Sequence, residues 1–172
     1  MLNKLIMRGR VSSCIVGAVL LVLLNGCGFH LKGYAQPSAA LNGLYIVGGN
    51  EQQTLAGVLQ SDLLAGGVIL AADKASAKYA FQVLQEKFSS RVLSVDANGK
   101  ALDNELRLQA KVRLTSPGVG NKPHEEQLQL VRQLSFSGSD ELGQRNETRL
   151  MKSDMRRDLS AQIIRRLEAG LR

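Results

Sequence analysis

Cysteine, histidine and tryptophan are scarce in this 172-residue chain: two, two and none. Two cysteines cannot build a disulfide-dense scaffold. His30 and His124 make up the whole histidine complement, and neither has the i,i+4 partner of a metal-binding helix. Aromatic residues amount to 4%. Long apolar runs are also missing except for one near the N-terminus, which excludes a polytopic membrane protein. What is present is ordinary for a folded domain: 44% hydrophobic and 22% charged residues. That mixture supports a core and excludes wholesale disorder. The length fits one domain. The formal net charge is +7, unevenly spread.

The N-terminus reads as an export signal. Lys4, Arg8 and Arg10 precede a stretch from Val11 to Phe29 without any Lys, Arg, Asp or Glu. Its strongly apolar part, Cys14 to Leu24, suits the hydrophobic region of a signal peptide and falls short of the roughly 20 residues of a spanning helix. Leu24-Asn25-Gly26-Cys27 follows and resembles the bacterial lipobox, in which a thiol becomes linked to diacylglycerol and, after cleavage before it, an acylated N-terminus. The competing reading is an uncleaved membrane anchor with an incidental cysteine. By the same resemblance Gly28, a residue other than Asp after the cysteine, implies sorting to the outer membrane of a Gram-negative bacterium. The expected organisation is therefore a signal peptide over 1–26, a lipidated tether over 27–42 and one domain over 43–172. Cys14 leaves with the signal and Cys27 is acylated, so neither a free thiol nor a disulfide remains and packing must supply the stability. Several acyl chains anchor firmly where one would bind only marginally.

Along the remainder, Leu44-Tyr45-Ile46-Val47 predicts a short strand ended by Gly48-Gly49. Asn50, with Gln53 three residues on, has the form of a capping box. Leu55, Val58, Leu59 and Leu63 mark one face of a helix that Gly66-Gly67 stops. Val68-Ile69-Leu70 is a possible short strand. Tyr79 to Val95 reads as a long strand whose apolar phase switches between Val83 and Leu84, a bulge signal. Ala97-Asn98-Gly99-Lys100 is a turn. Leu106, Leu108, Ala110, Val112 and Leu114 alternate cleanly, and Ser116-Pro117-Gly118 ends that run. Leu128, Leu130, Leu134 and Phe136 begin another alternation, with Arg132 on its apolar side. Asp140 to Thr148 reads as a polar loop. Met151, Met155, Leu159 and Ile163, flanked by Ile164 and Leu167, stripe a final helix from Leu150 to Leu167. The fold this predicts is α+β: a two-layer sandwich in which one mixed, mostly antiparallel sheet of about four strands carries two helices on one face.

The register of the long hairpin defines the other face. A three-residue Ala97–Gly99 loop pairs Asp96 with Lys100, sets Leu84 against Val112 and Phe88 against Leu108, and puts Gly99 in the left-handed position of a bulge turn. Gln85, Lys87, Ser89 and Arg91 then point outward beside Glu105, Arg107, Gln109, Lys111 and Arg113, with Gln127, Gln129, Gln133 and Ser135 next to them. Two readings fit this patch: a solvated face, or an anion-binding surface in which Lys and Arg on rigid strands pair phosphates. The face lacks aromatic residues, which argues against single-stranded nucleic acid.

Catalytic patterns are weak. Glu125-Glu126 is a carboxylate pair, but adjacent strand residues point to opposite faces. The glycine pairs lack a phosphate-loop pattern. Arg132 is either a buried ligand-pairing residue or a strand-edge residue whose stem snorkels. Lys152, Arg156, Arg157, Arg165 and Arg166 read as the wet side of the final helix, with the last two favourably placed near its C-terminus.

Cys27-Gly28-Phe29-His30-Leu31-Lys32-Gly33 closely resembles the start of the mature LPS-assembly lipoprotein LptE family, and the order of elements agrees along the chain. The resemblance implies a non-enzymatic outer-membrane lipoprotein without a cofactor beyond the lipid on Cys27. It faces the periplasm and the barrel lumen, plugs and helps assemble the LptD β-barrel one-to-one, and binds lipopolysaccharide. Lys87, Arg91, Arg107, Lys111, Arg113 and Arg132 become the candidate contacts to lipopolysaccharide or the barrel wall, with no nucleic acid involved. The alternative is a generic outer-membrane lipoprotein scaffold of another envelope machine, without a ligand.

Overall fold

A computed structural model of the chain describes Pro37 and residues 39–116, 122–136 and 141–171. The signal segment, Cys27, most of the tether and Asp140 lie outside the described residues. A 3-10 turn over Ala39–Leu41 buries Leu41 completely. Then come β1 (Leu44–Val47), α1 (Leu55–Ala65), β2 (Tyr79–Val95), β3 (Ala101–Thr115), β4 (His124–Ser135) and α2 (Glu141–Gly170). The strands lie in one sheet in the order β1-β2-β3-β4. β1 runs parallel to β2, and the other two pairs are antiparallel. The parallel pair needs a crossover, and α1 lies within it. This is the expected α+β architecture.

Alternation makes the sheet two-sided. Leu106, Leu108, Ala110 and Val112 of β3 are buried and pack with Phe81 and Leu128 against the helices. The α1 residues Leu55, Leu59 and Leu63 and the α2 stripe Met155, Leu159, Ile163 and Leu167 close the core. Ser160 is also fully buried, and its hydroxyl donates to Asp62 Oδ2 of α1 at 2.6 Å, which satisfies it and ties the helices together.

Local chemistry sets the ends of α1. The N-cap is Thr54 and not Asn50: Thr54 Oγ1 accepts from Gly57 N–H at 3.1 Å. Asn50 lies too far upstream for its side chain to serve the first turn. At the other end Gly67 takes a φ of +82°, while Gly67 N–H donates to Leu64 O and Val68 N–H to Leu63 O. That pair of bonds is a Schellman motif, and it needs a residue that tolerates the left-handed conformation. Val68–Leu70 forms no strand. It runs beside β1 with irregular bonds, Gly43 N–H to Ile69 O and Ala71 N–H to Leu44 O.

The expected loop before the final helix is itself helical. α2 begins at Glu141, so Glu141–Thr148 adds two turns ahead of the apolar stripe. Elongating a formed helix adds one hydrogen bond per ordered residue, without the cost of a new nucleus. A segment with no apolar stripe can therefore extend an anchored helix.

The phase change on β2 is real, but its residue assignment shifts. Val83, not Leu84, lies opposite Val112, and Gln85 lies opposite Lys111. Leu84 is the extra residue of the bulge. The expected pairing failed because a bulge was inferred without fixing which strand position it inserts. Phe88 does pair with Leu108. Asp96 N–H donates to Lys100 O at 2.8 Å and Gly99 has a φ of +78°, as the three-residue loop requires.

Candidate anion-binding face

Beyond the bulge the register holds Gln85 opposite Lys111, Lys87 opposite Gln109, Ser89 opposite Arg107 and Arg91 opposite Glu105. On the far side Lys111 meets Gln127, Gln109 meets Gln129 and Glu105 meets Gln133. Lys87, Arg91, Arg107, Lys111 and Arg113 thus share the face turned away from the helices, on the three long strands whose pairing holds their stems in place. Gln109 Nε2 donates to Gln129 Oε1 at 2.9 Å. A shallow depression of about 70 Å³ lies over Gln85, Lys87, Gln109, Lys111 and Gln127.

The charges are less free than their count implies. Glu105 takes Arg91 at 3.3 Å and Arg107 at 3.0 Å. Glu125 takes Lys111 at 2.8 Å and Arg113 at 2.6 Å. Lys111 first and Arg113 second hold the Glu125 carboxyl below the ordinary glutamate range by hydrogen bonding and charge. Such solvent-screened pairs contribute little to net stability. Their main effect is to orient the cations. Among the described residues Lys87 has no ion pair, and it borders the depression. At the hairpin end of the face, Asp103 receives Ser135 Oγ–H at 2.6 Å and Ser94 Oγ–H at 2.5 Å. Those two hydroxyls, Ser135 before Ser94, hold its carboxyl below the usual range.

Arg132 does not join this face. It pairs with Leu106 in register, on the helix side, and its guanidinium meets Asp158 of α2 and Met151 Sδ. An inward-pointing charge on an edge strand also discourages strand addition. Glu125 and Glu126 separate as adjacent strand residues must: Glu126 meets Arg166 of α2. The α2 cations divide as well. Arg156 meets Glu86 at the sheet, whereas Arg157 pairs with Asp154 on its own helix.

Sequence reasoning missed two residues. Glu125 belongs to the face, and extending the Gln127–Gln129 alternation back by two positions would have placed it there. Glu86 is on the helix side of β2, and its partners lie too far away in sequence to be signalled. Among the described residues no group of three or more His, Cys, Asp and Glu could hold a metal ion. No described helix is long and apolar enough to cross a membrane.

Comparison with known proteins gives a consistent result. A family profile described as "LptE: Lipopolysaccharide-assembly" matches residues 41–167. The chain is 24% identical over 161 residues to the LPS-assembly lipoprotein LptE of Photorhabdus laumondii subsp. laumondii, covering 94% of this chain and 87% of that protein. It is 25% identical over 162 residues to the LPS-assembly lipoprotein LptE of Yersinia pestis, covering 94% and 77%. The fold matches the rare lipoprotein B of Shewanella oneidensis with a TM-score of 0.63 at 13% identity, over 74% of this chain and 95% of that one. It also matches lipoprotein B of Nitrosomonas europaea with a TM-score of 0.57 at 21% identity, over 74% and 82%.

Proposed function

This chain belongs to the LptE lipopolysaccharide-assembly family, and from that premise we propose that it plugs and stabilises an LptD-type outer-membrane barrel one-to-one and binds lipopolysaccharide through the outward face of its sheet. Family membership makes it an LPS-assembly lipoprotein of the Gram-negative envelope. In the proposed reading Cys27 carries the lipid that holds the domain at the periplasmic side of the outer membrane. The chain carries out no catalytic step.

The observation that supports the ligand is the face itself: five cations against three carboxylates, Glu105, Glu125 and Asp103, on three hydrogen-bonded strands. Barrel lumens are polar. A surface of Gln109, Gln129, Gln127 and paired ions can enter one with its hydrogen bonds satisfied. Lys87 supplies an ammonium that has no ion pair among the described residues. Arg91, Arg107, Lys111 and Arg113 can trade a carboxylate for a phosphate, which is a bidentate partner for arginine. Arg132, engaged with Asp158, serves the sheet edge in this reading.

The ion pairs favour one competing reading, a self-neutralised scaffold face that docks a barrel without holding a ligand. Charge reversal separates the two. Arg107→Glu with Lys111→Glu should weaken lipopolysaccharide binding by about tenfold or more at low salt and leave the heat-resistant complex with the barrel in place. Unchanged binding at low salt rejects the ligand role, and failure to co-purify with a large β-barrel rejects the plug.

A further inference from the structure

Among the described residues, the side of the sheet that carries the helices leaves a space between sheet and helix. Between the first turns of α2 and the hairpin end of β2 and β3 lies an open groove of about 650 Å³. Its floor is Phe88, Asn104 and Phe136. Phe136 is 5% exposed, and Phe88 packs against the core.

The wall explains why the groove is open. From Met155 to Leu167 the stripe Met155, Leu159, Ile163 and Leu167 of α2 is apolar and fills the space beneath it. In the turns of the same helix just before Met155 the groove wall carries Gln144, Arg145, Thr148, Arg149 and Lys152. These side chains cannot close over two phenylalanines as leucines would. This mismatch is also the reason that the sequence alone suggested a loop there. Local conflict between pattern and fold is expected where function overrides stability.

Three cations at i, i+4 and i+7, Arg145, Arg149 and Lys152, line one wall. The one acid of the lining, Glu141, reaches Arg145 at 3.5 Å, and both side chains are about four-fifths exposed. Arg149 Nη2 donates to the neutral Asn146 Oδ1 at 3.3 Å and has no ion pair among the described residues. Lys152 Nζ sits 5.1 Å from the Phe88 ring centroid, a cation–π distance that bridges the charged wall and the apolar floor. On the floor Asn104 Nδ2 donates to Ser90 Oγ at 3.2 Å, and its buried Oδ1 has no hydrogen-bond partner among the described residues.

We propose that this groove binds an anionic amphiphile, with a hydrocarbon chain along Phe88 and Phe136 and an acidic headgroup against Arg145, Arg149 and Lys152. The site lies on the opposite side of the sheet from the outward face and uses none of its residues. A peptide occupant would need partners for its own backbone donors and acceptors. The floor provides only the Asn104 amide, whereas an acyl chain demands nothing of it. The occupant is a membrane lipid with a phosphate-bearing head. Only this choice of source rests on the outer-membrane reading; the charge and shape of the groove do not.

The test is titration of the full mature chain with dodecyl phosphate below its micelle concentration, read by calorimetry and by the ring resonances of Phe88 and Phe136. Inorganic phosphate and dodecyl maltoside are the controls. Dodecyl phosphate should shift both rings and bind at least about tenfold more tightly than either control, since each supplies half of the recognition. Arg149→Glu with Lys152→Glu should weaken it by about tenfold or more, and Arg107→Glu with Lys111→Glu, which removes any binding at the outward face, should leave the Phe88 and Phe136 ring shifts unchanged. If the first double variant melts early, Thr148→Asp places a repelling carboxylate on the same wall, keeps all three cations, and should also weaken binding. Equal binding of dodecyl maltoside or of inorganic phosphate overturns the proposal. So does loss of binding only in the Arg107/Lys111 variant, which would move the ligand to the outward face, or no binding at all. Failure here leaves the outward-face reading standing, because that reading is tested with different residues.

Discussion

Glu86 and Arg156 meet at 2.5 Å between β2 and α2, each with a side chain less than one-fifth exposed. The second carboxylate oxygen of Glu86 accepts the backbone N–H of Leu55 at 2.9 Å. One side chain of the sheet therefore ties down both helices: it satisfies an orphan donor in the first turn of α1 and sits where the helix dipole favours negative charge. A half-buried pair of this kind is weak evidence for net stability, but removing one partner is costly because the other stays behind uncompensated.

Glu86→Gln should lower unfolding free energy by about 2–3 kcal/mol, whereas Glu86→Gln with Arg156→Met should recover part of that loss. Urea denaturation of the two variants and the wild type measures both. A single variant as stable as wild type would show that the clamp contributes nothing.

Gly57 lies in the first turns of α1, where helix propensity alone favours Gly→Ala by roughly 1 kcal/mol. A Cβ at that position would lie 2.1 Å from the carbonyl oxygen of Glu51, a backbone atom that cannot swing away. Gly57→Ala should therefore destabilise by about 2 kcal/mol or more. The sign of the change in midpoint distinguishes the two expectations.

The N-cap assignment separates two polar residues four positions apart. Thr54→Ala removes the acceptor for Gly57 N–H and should cost about 1 kcal/mol. Asn50→Ala should cost less than about 0.5 kcal/mol, as for an exposed surface site. Thermal melts of the pair decide which residue starts the helix.

Glu125 should titrate below the ordinary glutamate range, because Lys111 and then Arg113 hold its ionised form. A folded-state pKa below the unfolded one adds stability that is fully present above the unfolded pKa, roughly 4.3, and is lost as the pH falls through the folded value. The pairing therefore weakens only in acid below about pH 4. A carbon-detected NMR titration of the Glu125 carboxyl reads this directly. Lys111→Gln should move that pKa upward, and a value unmoved by the substitution would show that Lys111 does not hold it.

Much of this protein is written in local patterns. The Leu106–Leu114 alternation made β3, the Asn98-Gly99 turn set the hairpin phase, and the Met155–Leu167 stripe made the buried face of α2, because period two and period 3.6 are properties of neighbouring residues. The outward placement of Lys87, Arg91, Arg107, Lys111 and Arg113 followed from that phase, and the opening motif at Cys27 pointed to the family. Three-dimensional packing decided the rest. Which residue the β2 bulge inserts, Leu84, depends on how Phe81 and Val83 reach the core. The helicity of Glu141–Thr148 depends on the anchored turns after it and not on its own composition. The pairing of Glu125 with Lys111 and Arg113, of Arg132 with Asp158, and of Glu86 with Arg156 joins charges from separate elements. Periodicity tells a side chain which way to face; only the folded chain determines what it finds there, since the partner comes from a distant segment whose position no local pattern encodes.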